Sequence, residues 1–343
     1  MKRRPTIKDV AEAAGVGTAT VDRVLHGRNL VRPETAQKIS DAAFKVGYHA
    51  ANLISQKLQS DLPTVTFGVL LRKKDHAFYQ HFAQEIEQAL HANCHVRARV
   101  EIDYTDSQTA LEFAQRLSAM EGRVDVVAAV AIENQKVTDA VARLRSAGIP
   151  TFALLSDFSQ KERCSYVGTN NTKFGRTAAW LLSKLVNEDD KIALFTGGHR
   201  WRGHELRETG FREFIRDNGP RLQILDTIIN LETNSLTYEE TIDLLSRHPD
   251  LSGIYIAGGG MEGAIEALRE LRQPGEVSLV VNELTSISRQ ALYDGYVNMV
   301  LSTPLPELCR ELAKLMTSSV LDGADVAQNH VVMNPVVTLP ESI

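Results

Sequence analysis

From Thr64 onward the sequence alternates short β-branched runs with amphipathic stretches, and this alternation restricts the possible folds more than any other feature. Strands are predicted over residues 65–71, 96–103, 124–131 and 151–155, with helices over 77–91, 108–120, 137–147 and 172–186. A second series follows, with strands over 192–195, 222–229, 253–257, 277–281, 297–301 and 331–339. Its helices fall over 204–217, 236–246, 261–271, 288–293 and 305–321. Apolar strands separated by helices imply parallel sheets covered on both faces, and roughly 280 residues suffice for two such lobes. Ligands of such sheets bind beyond the carboxyl ends of the strands, so a cleft between the lobes is the default site.

The first sixty residues follow a different pattern. Residues 6–28 read T-I-K-D-V-A-E-A-A-G-V-G-T-A-T-V-D-R-V-L-H-G-R. Thr6 can cap a helix, with Asp9 placed to answer the free N–H groups of its first turn. Ile7, Val10, Ala11 and Ala14 mark one apolar face, and Gly15 can end the helix in a left-handed turn that Val16 plugs. A second helix follows, with Val21, Val24 and Leu25 inward and Thr18, Ala19, Thr20, Asp22 and Arg23 mostly outward. Two short helices joined by a tight turn form a helix-turn-helix whose second helix can enter a DNA major groove, although an ordinary helical hairpin shares the pattern. Pro33 opens a third helix, carried by Ala36, Ile39, Ala42, Ala43 and Val46 and stopped by Gly47. Residues 50–59 have few apolar positions (Leu53, Ile54, Leu58) and are too short for a stable helix alone. The expected organisation is a small all-α head over 1–49, a connecting segment over 50–63 and a two-lobed α/β body over 64–343.

Charge separates the same parts. The chain carries −5 overall, yet residues 1–60 hold ten Lys/Arg against five acids, leaving −10 on the remainder. A basic module on an acidic body suggests that the module meets a polyanion and the body does not. The longest uncharged apolar run, 126–132, is far too short to span a bilayer, so no membrane role is expected. The basic N-terminus leads into no apolar signal region, and Cys94, Cys164 and Cys309 are scattered, so a reducing cytoplasm is expected. No metal-ligand spacing or catalytic dyad stands out, and no cofactor is expected.

Taken together, T-I-K-D-V-A-E-A-A-G-V, T-V-x-R-V-L-x-G, V-R-P-E-T and A-N-L-I-S-Q-K-L resemble the LacI/GalR family of bacterial transcription regulators. The body resembles that family's ribose-binding-protein-like effector domain, with two Rossmann-like lobes. The resemblance covers the whole chain. It implies a homodimeric repressor that reads near-palindromic double-stranded operator DNA under control of a small carbohydrate or polyol. Thr18, Ala19 and Arg23 match positions that face base edges, and a guanidinium at Arg23 can bond guanine O6 and N7 together. A phosphate contact is the other role open to Arg23. Thr6 and Thr20 match phosphate-contacting positions, and Asn29 falls near the backbone. Gly17 replaces the family's usual Ser or Thr. Asp22 replaces Ser and would repel phosphate unless Arg23 or Arg28 pairs with it or a cytosine amino group donates to it. Residues 51–59, with Ser55, correspond to the hinge helix, and Leu58 to the leucine that wedges into the minor groove; packing on the body is the alternative for Leu58.

In the body, the resemblance implies ligand contacts from Arg72, His76 and the aromatic pair Phe78 and Tyr79, which could instead be lobe core. It also implies contacts from the interlobe pair Thr169 and Asn170, from Arg207 through its forked donors, and from Glu283. Gly260 and Thr303 stand where ribose binders usually carry Asn and Gln, which favours a carbohydrate or polyol other than ribose. His199 and Trp201, in the loop after the strand over 192–195, could add contacts or simply belong to a surface loop. Two other readings compete. Gly258-Gly259-Gly260-Met261-Glu262-Gly263 fits G-x-G-x-x-G, with Glu283 twenty residues beyond, the fingerprint of an NAD-dependent oxidoreductase. It lies far into the chain and has no catalytic partners, so an enzyme is not expected. A transporter's sugar-binding protein would lack the basic head.

Overall fold

The computed structural model describes residues 4–26, 31–60, 62–219, 221–323 and 330–343. Its head contains α1 (Ile7–Ala14), α2 (Thr18–His26), α3 (Pro33–Val46) and α4 (Ala51–Ser60). Thr6 donates to the Asp9 carboxylate through both its N–H (2.6 Å) and its hydroxyl (2.7 Å), which fixes the start of α1. Gly15, at φ 65°, ends α1 in the left-handed region that a Cβ disfavours. Val10, Val21, Val24, Ile39 and Ala43 close a small core.

α4 departs from the sequence expectation, because it is helical on a single chain. Ala51 and Ile54 are buried in the head's core and Leu58 packs against it. Tertiary burial supplies what the helix's length does not. The head touches the body where His95 Nε2 lies 3.5 Å from Glu34.

The body has two lobes. The first contains β1 (Thr64–Arg72), α5 (Ala77–His91), β2 (Arg97–Thr105), α6 (Ala110–Ser118), β3 (Val126–Ala129), α7 (Gln135–Ser146), β4 (Thr151–Leu154) and β5 (Ser165–Thr169). The second contains α8 (Asn171–Leu185), β6 (Lys191–Thr196), α9 (Arg202–Asn218), β7 (Gln223–Ile224), β8 (Ile228–Ile229), α10 (Asn234–Arg247), β9 (Leu251–Ile256), α11 (Met261–Leu271), β10 (Ser278–Asn282), α12 (Ser286–Tyr293) and β11 (Met299–Ser302). The chain then returns to the first lobe for α13 (Leu305–Leu321) and β12 (Val331–Met333), and to the second for β13 (Val336–Thr338).

The first sheet runs β12-β5-β4-β3-β1-β2, all parallel. The second runs β13-β11-β10-β9-β6-β7, with β8 also on β6, and only β13 is antiparallel. The chain therefore crosses between lobes at Asn170, at Thr303–Pro304 and at Asn334–Pro335. All described strand series point their carboxyl ends at the space between the lobes, apart from β13.

Three strand expectations need correction. The predicted strand over 331–339 is two strands in different sheets, because Asn334–Pro335 carries the chain across and Pro335 has no N–H to continue a ladder. The run over 222–229 is likewise two short strands, β7 and β8. β5 was not anticipated at all.

Candidate functional site

The cleft wall is built from residues just beyond strand ends. The first lobe contributes Arg72 at the end of β1 and Lys73 after it, His76, Phe78 and Tyr79 at the start of α5, and Ser156 after β4. The second contributes Asn171, Trp201, His204, Arg207, Glu232, Gly258, Gly259, Glu262, Asn282, Glu283 and, at a crossing, Thr303. Of the sequence-predicted residues, Arg72, His76, Phe78, Tyr79, Arg207, Glu283 and Thr303 come together here. Thr169, Asn170 and Gly260 do not. Thr169 is buried and its hydroxyl faces Asn171 at 3.4 Å, while Asn170 caps α8 by accepting from Lys173 N at 3.0 Å. Asn171, one residue on, is the one whose side chain reaches the cleft. Gly260 turns the chain at φ 93°, and a Cβ there would sit 2.2 Å from Thr237 Oγ1, away from the cleft. Trp201 lines the cleft, and His199 does not.

Arg207 is held rigidly. Its Nε donates to Asn171 Oδ1 at 2.7 Å and its Nη1 to Ala257 O at 2.8 Å. With its amide turned to satisfy both neighbours, Asn282 accepts from Nη1 at 2.6 Å. The guanidinium lies 4.4 Å over the Phe174 ring. Nη2 makes no hydrogen bond among the described residues and is left for a ligand. Glu283 accepts from Thr303 N and Oγ1, both at 2.7 Å. Burial raises its pKa, and Arg207 and Thr303 only partly offset that.

Sequence reasoning missed the residue at the centre of the cleft, Glu232. Its carboxylate pairs with Arg72, lies 3.4 Å from His204 Nε2 and accepts from Gly259 N at 3.4 Å. Lys73 Nζ donates to its carbonyl. Burial alone would raise its pKa, but Arg72, His204 and Lys73 outweigh that and hold it well below the usual carboxylate range. His204 Nδ1 accepts from Gly197 N at 3.1 Å, so the neutral ring carries its proton on Nε2 and donates to Glu232. Burial pushes the His204 pKa down to about 4.

That depression fixes a pH dependence. Above the ordinary value of 6.5 the His204 contribution is complete, and it is lost as pH falls from there to about 4. His204→Gln should therefore flatten the stability profile across that window by up to about 3 kcal/mol, read by urea unfolding. Glu283, with its pKa raised above 4.5, tilts the profile the opposite way as pH rises from there. A variant profile parallel to that of the parent chain would show that His204 titrates normally.

The glycine-rich turn between β9 and α11 has the strand–turn–helix setting of a dinucleotide fingerprint. Its space is already filled. A Cβ on Gly258 would meet the His204 ring at 2.7 Å, and one on Gly259 would meet Glu232 Cβ at 3.0 Å. The turn's N–H at Gly259 donates to the chain's own carboxylate at Glu232, where an NAD site would need it for pyrophosphate.

On the head, Thr18, Ala19 and Arg23 stand exposed along α2, and Thr6 is exposed beside them in the capped start of α1. Thr20 and Asp22 are half-buried. Asp22 pairs with His26, 3.1 Å away, and not with Arg23; Arg28 and Asn29 lie outside the described residues. Ser55 is half-buried on α4. Leu58 is turned toward the head's core rather than free to wedge between bases, because α4 is docked.

A helix-turn-helix head on a bilobal body whose cleft lies at strand ends is the architecture of a ligand-responsive DNA-binding regulator. Residues 6–51 match the family described as bacterial regulatory proteins, lacI family, and residues 67–324 match the periplasmic binding protein domain. The head is a LacI-family domain, and the chain, over its body, belongs to the periplasmic binding protein domain family. It is 24% identical over 340 residues to the HTH-type transcriptional regulator GalS of Salmonella typhimurium, covering 96% of this chain and 94% of that one. It is 24% identical to CelR of Thermobifida fusca, covering 93% of each. The solute-binding protein of Agrobacterium vitis bound with α-D-tagatopyranose superposes with TM-score 0.74 at 16% identity, covering 81% of this chain and 95% of that one. That of Burkholderia graminis in complex with D-arabinose gives 0.72 at 20% identity, covering 81% and 96%. At these identities the structural likeness establishes the fold. The relatives named here are transcriptional regulators rather than enzymes, and no helix among the described residues is long and apolar enough to cross a membrane.

Proposed function

We propose that this regulator is a cytoplasmic homodimeric repressor of carbohydrate uptake or catabolism genes, whose effector is a small sugar or polyol held in the interlobe cleft. The observation that carries this reading is the pre-set pair Arg207 and Glu283. One is a guanidinium locked by three acceptors with an edge still free, and the other a carboxylate held by Thr303, 20 residues on in sequence. Forked donors opposite a fixed acceptor suit vicinal hydroxyls, and the half-buried Phe78 face offers an apolar wall for a sugar's C–H side. The sugar-binding neighbours in fold are consistent with it. Ligand and operator affinities are then linked reciprocally through lobe closure. Thermal-shift screening of the full chain against sugars and polyols tests the reading. Stabilisation by none of them would overturn it.

On the head, Arg23 is proposed to read a base edge, with Thr18 and Ala19 beside it and Thr6 and Thr20 on phosphates. Arg23→Ala should cost about 1–3 kcal/mol at one base position and relax preference there, measured by binding-site selection on randomised DNA. A uniform loss on every sequence, with a flatter salt dependence, would assign Arg23 to phosphate. Release of Leu58 from the head's core when two heads meet on DNA is the proposed route to its wedge role. Ser55 lies on the same helix.

A further inference from the structure

The cleft holds three cations, Arg72, Lys73 and Arg207, and three carboxylates, Glu232, Glu262 and Glu283. Two of the cations are already committed to Glu232. That residue is not a loosely placed side chain. Leu231 and Glu232 both adopt left-handed backbone, at φ 50° and 55°, a conformation that side chains of this size rarely take. Fully buried Asn230 imposes the turn: its Oδ1 accepts from Glu232 N at 2.9 Å, and its Nδ2 donates to Gly259 O at 2.8 Å and Thr237 Oγ1 at 3.0 Å. Gly258 and Gly259 supply the room, as the Cβ distances above show.

What is left to a ligand has a definite chemistry. Arg72 is only 1% exposed, and among the described residues its Nε and Nη2 meet no acceptor at close geometry, with the Tyr79 hydroxyl the one group near enough to hydrogen-bond weakly to the guanidinium. Among the described residues, Trp201 Nε1 is a further buried donor without an acceptor and Glu262 Oε2 a buried acceptor without a donor. Trp201 also stacks on the same guanidinium, 4.3 Å from its centroid, and packs edge-on against Phe113. A hydroxyl both donates and accepts, so a polyhydroxy ligand can satisfy all of these. A carboxylate or phosphate accepts only, and would face Glu232, Glu262 and Glu283 with Arg72 already paired to Glu232 and Lys73 held beside it.

We propose that Glu232 is a specificity-determining residue that reserves the cleft for neutral polyhydroxy ligands and rejects carboxylates and phosphates on the same carbon skeleton. This rests on the effector reading given above and sharpens it. Rejection works by like charge held in place, since a mobile acid could swing away. Glu232 also ties the lobes together, through Arg72 and Lys73, while Gln108 Nε2 donates to Leu231 O at 2.9 Å.

Isothermal titration of the full chain decides the matter, with pentoses, hexoses and their alditols each run beside the matching aldonate and terminal phosphate. The parent chain is expected to bind a neutral member about a hundredfold or more tighter than its anionic counterparts. Glu232→Gln, which leaves Arg72 and Lys73 without their counter-charge, should narrow that gap by about tenfold or more in the anion's favour. Glu232→Asp keeps the charge and should keep the ranking. An aldonate or sugar phosphate bound by the parent chain as tightly as the neutral compound overturns the proposal and leaves the effector reading standing. An unchanged gap in a folded Glu232→Gln chain does the same. Should Glu232→Gln fail to fold, the parent ranking alone decides. Binding of neither class by the parent chain removes the effector reading itself, and the proposal with it.

Discussion

Arg207→Ala is expected to lower affinity for the effector by about a hundredfold or more and to destabilise the body by about 2–4 kcal/mol. The two effects share one cause. The guanidinium spends Nε and Nη1 on Asn171, Ala257 and Asn282, and offers its remaining edge to the cleft. Truncation removes the ligand's donor and takes a hydrogen bond from three buried acceptors together. Arg207→Lys should recover charge without the fork, so stability would return in part and ligand affinity little. Calorimetric titration beside urea unfolding separates these. A variant that unfolds more easily yet binds normally would reassign Arg207 to structure alone.

Gly175→Ala should produce the largest loss of stability from a single methyl group, about 3 kcal/mol or more. α8 and α9 cross so closely that a Cβ at Gly175 would lie 1.8 Å from the carbonyl oxygen of Arg207. Gly210 makes the reciprocal approach, with its Cβ position 2.3 Å from Thr172 O. Backbone cannot rotate out of the way as a side chain can, so the helices must separate. The helix displaced carries Arg207, and ligand binding should fall with stability. A well-folded Gly175→Ala chain with normal affinity would show that the helix pair tolerates a wider spacing.

The head was legible because its signals are local. Thr6, Asp9 and Gly15 mark helix ends within a few residues of one another, and the apolar period needs no distant partner. Much of the body was legible for the same reason, with Met261–Leu271 and Leu305–Leu321 matching their predicted helices. Ser165–Thr169 escaped notice because S-Y-V-G-T is short, carries a glycine and follows a polar loop. Asn170 and Asn171 could not be told apart by pattern: the helix boundary falls between them, turning one side chain to the cap and the other to Arg207. Glu232 was the least legible residue. In L-E-T-N-S an acid reads as a solvated turn residue, and its partner Arg72 is 160 positions away. α4 was underestimated because residue counting inside the segment ignores the neighbouring core that buries Ala51 and Ile54.

The three crossings between lobes carry a consequence for synthesis. The first sheet lacks its last strand until residue 333 has been made and the second until residue 338, because β12 and β13 are edge strands of different lobes separated by two residues. The head, by contrast, is complete at residue 60. At roughly 5–20 residues per second, the intervening 278 residues (338 less 60) take about 14–56 s. Throughout that interval the nascent chain presents a folded DNA-binding head with no finished body to govern it. In the proposed homodimer a single head would hold half of the paired contact surface, so an unfinished chain would attach to an operator only weakly.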